Sequence, residues 1–377
     1  MSRSHTPVGY CTNVHPAEDL PGLLDQLDVH AGPIRQRLGV PLLDVGLWLP
    51  APVAAELAAG PDARALLKDR LAANGLAVRT LNAFPYAGFH ADVVKRAVYL
   101  PRWGDPARTE FTLHCAEVLA DLLPVDGVGS ISTVPLGWRE GWGPAEDAAA
   151  ERELGRVGAF LEELYARSGR RVRLAIEPEP GCVLDTVADV VAWLRPRVES
   201  GSLDPAYIGI CLDTCHLAVS FADPVTEIAA VHAAGLSVVK VQASAAPEVP
   251  DPSDPRQREL IGRFVEPRYL HQTRELAADG TVLGVDDLDV ALTELPGGGP
   301  WRVHFHIPVH ADPQPPLRST RGTIVDCLRE LAGAGAYDLE VETYTWAVLP
   351  PETAGVDLVT GITEELRWLM AAAREEE

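Results

Sequence analysis

Short β-branched or aliphatic runs recur along the chain at 9–14, 42–49, 78–84, 128–134, 172–177, 208–213, 237–242, 302–307 and 339–343. Longer Ala-, Leu-, Arg- and Glu-rich stretches of helical period lie between them, at 20–38, 52–74, 108–122, 145–168, 186–198, 223–234, 323–333 and 362–374. Strand and helix alternating in this way build βα units around a mainly parallel sheet. Many strands close on a polar or acidic residue before a Pro or a break: Asn13 and His15, Asn82, Glu177, Asp213, Gln242, His306 and Glu342. Polar groups gathered at the carboxyl ends of parallel strands are where barrel enzymes hold their chemistry. One (β/α)8 barrel takes ~250 residues before insertions. The expectation for these 377 residues is therefore a single α/β TIM barrel domain spanning residues 1–377.

Such a barrel needs eight strands, and the pattern offers one more. The surplus falls around residues 243–300, where a Pro/Asp-rich loop at 247–255 and a glycine run at 297–299 mark an insertion. The segment near Tyr269–Glu275 also has extended character. Either 237–242 or 302–307 can serve as the seventh strand.

Composition narrows the partners. A formal charge of −22 and only three lysines, Lys68, Lys95 and Lys240, oppose binding to nucleic acid or anionic lipid, which needs clustered cations. The start of the chain is polar and lacks the apolar core of a signal peptide, and no apolar run reaches the ~20 residues of a membrane span. Six scattered cysteines without zinc-ribbon spacing read as buried, reduced thiols. A cytoplasmic protein with a small-molecule substrate, and with pathway proteins as further partners, is expected.

The sharpest motif is Ile208-Gly-Ile-Cys-Leu-Asp-Thr-Cys-His216, where a strand delivers Asp213 and the next turn delivers His216. Asp213 offers a hard oxygen ligand, or alternatively caps a helix. In Ile176-Glu-Pro-Glu-Pro-Gly181, Glu177 ends an apolar strand, where an unpaired carboxylate is costly to bury. The flanking prolines force an extended exit that carries Glu179 further out. In Leu339-Glu-Val-Glu-Thr343, alternation puts Glu340 and Glu342 on one face. Glu342 lies nearer the strand end, while Glu340 sits a layer deeper beside a basic group, or is functional in the other register. His304 and His306 share a face by the same rule, with Lys240 and Gln242 as rivals at the equivalent place. Glu177, Asp213, His306 and Glu342 together make an oxygen-rich site with one nitrogen, suited to one divalent metal ion such as Mn²⁺, Mg²⁺, Co²⁺ or Zn²⁺. His216, Gln242, Lys240, His304, Asn82 and His15 are the candidate substrate contacts. Trp48 and Trp138 are candidate aromatic walls.

Glu177 in Ile-Glu-Pro-Glu-Pro-Gly, the Asp213-Thr-Cys-His216 turn and Glu342 on the closing strand resemble the xylose-isomerase-like superfamily of TIM barrels. That superfamily includes sugar (phosphate) isomerases and epimerases and their endonuclease cousins. A nearer likeness is to EboE-type metabolite traffic proteins, carried by Asn82-Ala-Phe-Pro-Tyr-Ala-Gly-Phe-His90 and Val94-Lys-Arg-Ala-Val-Tyr-Leu-Pro-Arg-Trp103. The resemblance implies metal ligands at Glu177, Asp213 and Glu342, and proton exchange by Glu177 and Glu342 through an enediolate. The family's histidine ligand has no clean counterpart here. Two other functions compete: a noncatalytic metabolite-binding barrel, and a phosphodiester hydrolase, which the acidity opposes.

Overall fold

The computed structural model describes residues 7–376. Eight parallel strands close into a barrel: β1 (Val8–Cys11), β2 (Leu43–Trp48), β3 (Leu76–Asn82), β4 (Val128–Thr133), β5 (Arg171–Ile176), β6 (Ile208–Asp213), β7 (Val238–Ala243) and, last in the chain, β13 (Asp338–Val341). β13 pairs with both β7 and β1 and closes the ring. The expected TIM barrel is the observed fold. The seventh strand is the one carrying Lys240 and Gln242.

The connecting helices follow their sequence signals. Pro144–Ser168 buries Leu154, Val157, Leu161 and Leu164, an i, i+3, i+7, i+10 stripe against the barrel. Val187–Glu199 opens on a capping box between Thr186 and Asp189. One helix expected at 52–74 is two, Ala51–Ala59 and Pro61–Asn74. The break falls at Gly60, which is extended (φ −107°, ψ 100°), because a residue before proline is driven out of the helical region. The last helix, Leu358–Glu376, runs through the acidic tail. None of the described helices is long and apolar enough to cross a membrane. All six cysteines are buried and none is paired in a disulfide.

The insertion is larger than its sequence signals. Between β7 and the helix Gly322–Leu331 the chain builds a second, antiparallel sheet from β8 (Pro247–Val249), β9 (Thr273–Leu276), β10 (Val282–Val285), β11 (Trp301–Val303) and β12 (Arg318–Ser319), in the order β10-β9-β11-β8-β12. The expected strand at 302–307 is therefore not a barrel strand. Only Trp301–Val303 pairs in it, and Ile307 makes a single antiparallel bridge to Ala245, just past β7. Proline at 308 and the demands of bridging two sheets end the ladder early. His304 and His306 thus leave the cap sheet and lie over the carboxyl end of the barrel.

Inside the barrel, Lys240 on β7 meets Glu340 on β13 at 2.8 Å, with side chains 0% and 1% exposed. Lys240 also donates to Leu81 O and Ser132 Oγ. Burial alone would pull its ammonium down, but Glu340 outweighs that and holds it charged. A Cβ on Gly46 would fall 1.7 Å from Glu340 Oε2, so glycine makes room for this carboxylate. The deeper position expected for Glu340, beside a basic group, is what the barrel contains. Lys240 is thereby removed from the substrate side: it is a core residue, its charge spent on Glu340.

Candidate active site

Glu177 follows β5 directly, and its N–H donates to Thr133 O, extending the barrel ladder one residue to the mouth. Its side chain is buried and its Oε2 has no hydrogen-bond partner. Asp213 caps the next helix with one oxygen and keeps the other without a partner. Oδ1 caps the following helix by accepting from His216 N (2.9 Å) and also accepts from Ser244 Oγ (2.7 Å). Oδ2 is buried without a partner. Glu342 Oε1 accepts from Asn13 Nδ2 (2.7 Å) and Asn82 Nδ2 (2.9 Å). Ligand oxygens of Glu177, Asp213 and Glu342 all lie within 4.8 Å of one another.

His306 completes the ring from the cap side. Its Nδ1–H donates to the Glu342 carbonyl (2.7 Å), which leaves Nε2 as the bare nitrogen. That Nε2 is buried, unpartnered, and 3.8 Å from Asp213 Oδ2. Gln242 does not compete for the place, because its Oε1 accepts from the Cys211 thiol at 2.8 Å below the ring. It does not line the cavity.

The electrostatics match this geometry. Burial, then the neighbouring Glu342, Asp213 and Glu179, pushes the Glu177 carboxyl well up; burial and Asp213 do the same to Glu342. Burial also pushes on Asp213, but His216, His306, the His216 N–H and the Ser244 hydroxyl outweigh it and hold Asp213 down. Burial brings His306 down to about 4, so its imidazole is neutral and its lone pair free. Crowded carboxylates and three orphaned polar atoms in one buried spot, one of them a bare imidazole nitrogen, are the complement of a divalent cation. The residues fit one.

A cavity open to solvent is lined by several of these groups. Its polar floor includes Asn13, Asn82, Glu177, Glu179, His216, His304, His306 and Glu342. Its opposite wall is apolar, from Phe84, Pro85, Phe89, Val98, Tyr269 and Tyr344. His216, His304 and Asn82 thus stand where the sequence suggested. His15 does not: it contacts the Tyr10 hydroxyl at 3.1 Å and stacks on His30, outside the lining. Asn13, two residues earlier, is the strand-end group that reaches the floor. Trp48 is buried behind Phe89, its indole N–H donating to Pro85 O. Trp138 stacks on Tyr99, outside the lining. Sequence reasoning missed Tyr99, Tyr269, Leu270, Gln272 and Tyr344. Only Tyr344, two residues past Glu342, had a periodic signal that could have found it.

The barrel is one that solved sugar epimerases share. A D-tagatose 3-epimerase-like protein matches with a TM-score of 0.52 at 11% identity, covering 98% of this chain and 99% of that one. An L-ribulose 3-epimerase matches at 0.50 and 15%, covering 98% and 96%. The IOLI protein with a binding zinc atom matches at 0.51 and 10%, covering 98% and 99%. At these identities the likeness is one of fold. No family model matches the sequence, and no curated protein does either.

Proposed function

We propose that the protein is a divalent-metal-dependent isomerase or epimerase of a sugar or polyol-derived hydroxy-carbonyl compound, with Glu177 and Glu342 exchanging the substrate proton. One observation carries this reading: orphaned ligand atoms of Glu177, Asp213 and His306 converge with Glu342 beneath an open cavity. Glu177, Asp213, Glu342 and His306 would hold the ion. When bound, it supplies Lewis acidity toward two adjacent substrate oxygens and acidifies the C–H beside the carbonyl.

The chain's own groups do the rest. Asn13 and Asn82 fix Glu342 by one oxygen and leave the other for a proton. Glu177, through the carboxylate oxygen that does not face the ion, takes the proton from the carbon next to the carbonyl. Glu342 returns one, to the same carbon in epimerisation or its neighbour in isomerisation, and the enediolate is the species between them. His216 and Asn82 stand beside the substrate oxygens. The aromatic wall excludes water and packs on C–H faces.

The lining also speaks to the substrate. Lys95 is its single Lys or Arg, and Lys95 Nζ is 2.5 Å from Asp287 Oδ2. No cation of the lining is thus free for a phosphate, which favours an unphosphorylated substrate. The fold neighbours named as an L-ribulose 3-epimerase and a D-tagatose 3-epimerase-like protein, and the zinc atom of the IOLI protein, agree with this reading. A role in metabolite biosynthesis or traffic rests on the EboE-like stretch from Asn82, whose Phe84, Pro85 and Phe89 line the cavity.

The test is exchange of solvent deuterium into a panel of ketoses, aldoses and inosose-type polyols, followed by NMR. Exchange that chelator stops, and that Mn²⁺ or Co²⁺ restores, supports the reading. Chelator-treated protein that takes up no divalent ion sinks it. Ligand-induced thermal shifts without exchange, unaffected by Glu177→Gln, would point to a binding barrel instead.

A further inference from the structure

Beside the carboxylate ring lies a second set of donors that this mechanism does not use as ligands. His216 Nε2 is 3.0 Å from His304 Nε2 and 3.1 Å from Glu179 Oε2. All three residues are buried, and their ligand atoms lie within 4.8 Å of one another.

The surrounding hydrogen bonds decide what these atoms are. His216 Nδ1 faces the Pro178 carbonyl at 2.8 Å, an obligate acceptor, so it carries the ring proton. Gln272 Nε2 donates to Pro180 O (2.7 Å) and to Tyr99 OH (3.0 Å), which turns Gln272 Oε1 toward His304 Nδ1 at 2.7 Å. His304 Nδ1 is therefore protonated as well. Tyr99 in turn donates to Glu179 Oε1 at 2.8 Å and leaves Oε2 free. Both imidazoles and the carboxylate are thus oriented by outer partners, with three bare lone pairs turned on one point. Metal-ligating histidines are held in this way, the far N–H tied to a carbonyl or carboxylate. His216 Nε2 stands about 3 Å from each of the other two atoms, and acceptors so placed repel unless something positive lies among them. A proton shared by one Nε2 satisfies the contacts one at a time; a metal ion satisfies all three at once. For ligands about 2.0–2.1 Å from a tetrahedral zinc, ligand atoms stand about 3.3–3.4 Å apart, a few tenths wider than here.

We propose that Glu179, His216 and His304 form a second divalent-metal site beside the first, with two nitrogens and one oxygen that suit Zn²⁺ or Co²⁺ over Mg²⁺. The two sets share no residue, although His216 Nε2 also lies 3.8 Å from Asp213 Oδ1. Asp213 Oδ1 is already occupied by two hydrogen bonds, and its free Oδ2 faces His306 rather than His216. The fourth position at the new site opens to the cavity, where a substrate oxygen or water completes it.

The experiment is metal titration of chelator-stripped protein with Zn²⁺, read by calorimetry and by metal analysis after gel filtration. Wild type takes up two equivalents. Glu179→Gln and His304→Gln each take up one, with metal-free melting temperatures near wild type; should one variant misfold, the other carries the test. Glu177→Gln keeps one equivalent, and X-ray absorption of its zinc shows two imidazole ligands. Saturation of wild type at one equivalent that Glu177→Gln abolishes overturns the second site and leaves the proposed function standing. Two equivalents persisting in both Glu179→Gln and His304→Gln overturn it as well.

Discussion

In the middle of the barrel, Lys240 and Glu340 are buried together at 2.8 Å, and Lys240 is further tied to Leu81 O and Ser132 Oγ. One alternation nearer the mouth, Glu177, Asp213 and His306 are just as buried, yet each keeps an atom with no partner. Both layers hide charge, and burial is equally costly in each. The lower layer sets one ammonium against one carboxylate, although the Glu340 oxygens accept no further hydrogen bond; the upper one leaves negative charge uncompensated and a nitrogen bare. Pairing is the mark of architecture, and its absence at a strand end is the mark of chemistry. A third carboxylate sharpens the contrast. Glu365 is fully buried near the same mouth, but it accepts from Thr343 Oγ1 (2.7 Å), Val309 N (3.0 Å) and Trp346 Nε1 (3.0 Å). It is structural.

The largest effect that would break this division is catalytic. Glu177→Gln and Glu342→Gln should each lower turnover by roughly 10³-fold or more. Metal-free stability in urea should hold or rise, since each change removes one of several crowded carboxylates. A variant that unfolds while its residual turnover stays high would put these residues in the architectural layer. Next comes Lys240→Met, which strands Glu340 and should cost about 3–5 kcal/mol of unfolding free energy. Adding Glu340→Gln should recover much of that loss. Unchanged stability in the single variant would mean that the lower layer is not held by its ion pair.

A third effect is pH-dependent. Burial pushes the Glu365 carboxyl up to about 7 from 4.5, against the opposing hydrogen bonds of Thr343, Val309 and Trp346. The folded chain keeps this proton longer than the unfolded one does, so stability falls as pH climbs from about 4.5 to about 7. The loss is on the order of 3 kcal/mol. Glu365→Gln should flatten that slope in urea melts taken across the window. Smallest is Asn13→Ala, which deletes one of two donors to Glu342 Oε1. Metal affinity should drop by about 10–100-fold with the fold intact. Calorimetry showing wild-type affinity would assign Glu342 to substrate rather than to the ion.

The acids were legible because strand chemistry leaves them few alternatives. Glu177 ends an aliphatic strand before Pro178, and Asp213 ends another before a helix, so both had to emerge at the mouth. The period-two rule also brought His306 forward, but it left 302–307 as an alternative to 237–242 for the seventh barrel strand, and His306 lies beyond the end of β11. A short apolar run reads the same in a barrel and in a cap, and only pairing separates them. Lys240 was misread for a related reason: alternation gives its face but not its depth, and its partner Glu340 is 100 residues away in sequence. Tyr99 and Gln272 had no local signal at all. Tyr99 ends a short 3-10 helix and Gln272 precedes β9, and only the closed structure brings them to Glu179 and His304.

Three of the acids belong to the barrel, whereas His304, His306, Tyr269 and Gln272 belong to the polypeptide between β7 and β13. The candidate site is therefore assembled from two parts of the chain. A lineage could redraft the cap, exchanging its aromatic and imidazole groups to admit a different compound, while the proton-handling carboxylates descend unaltered beneath it.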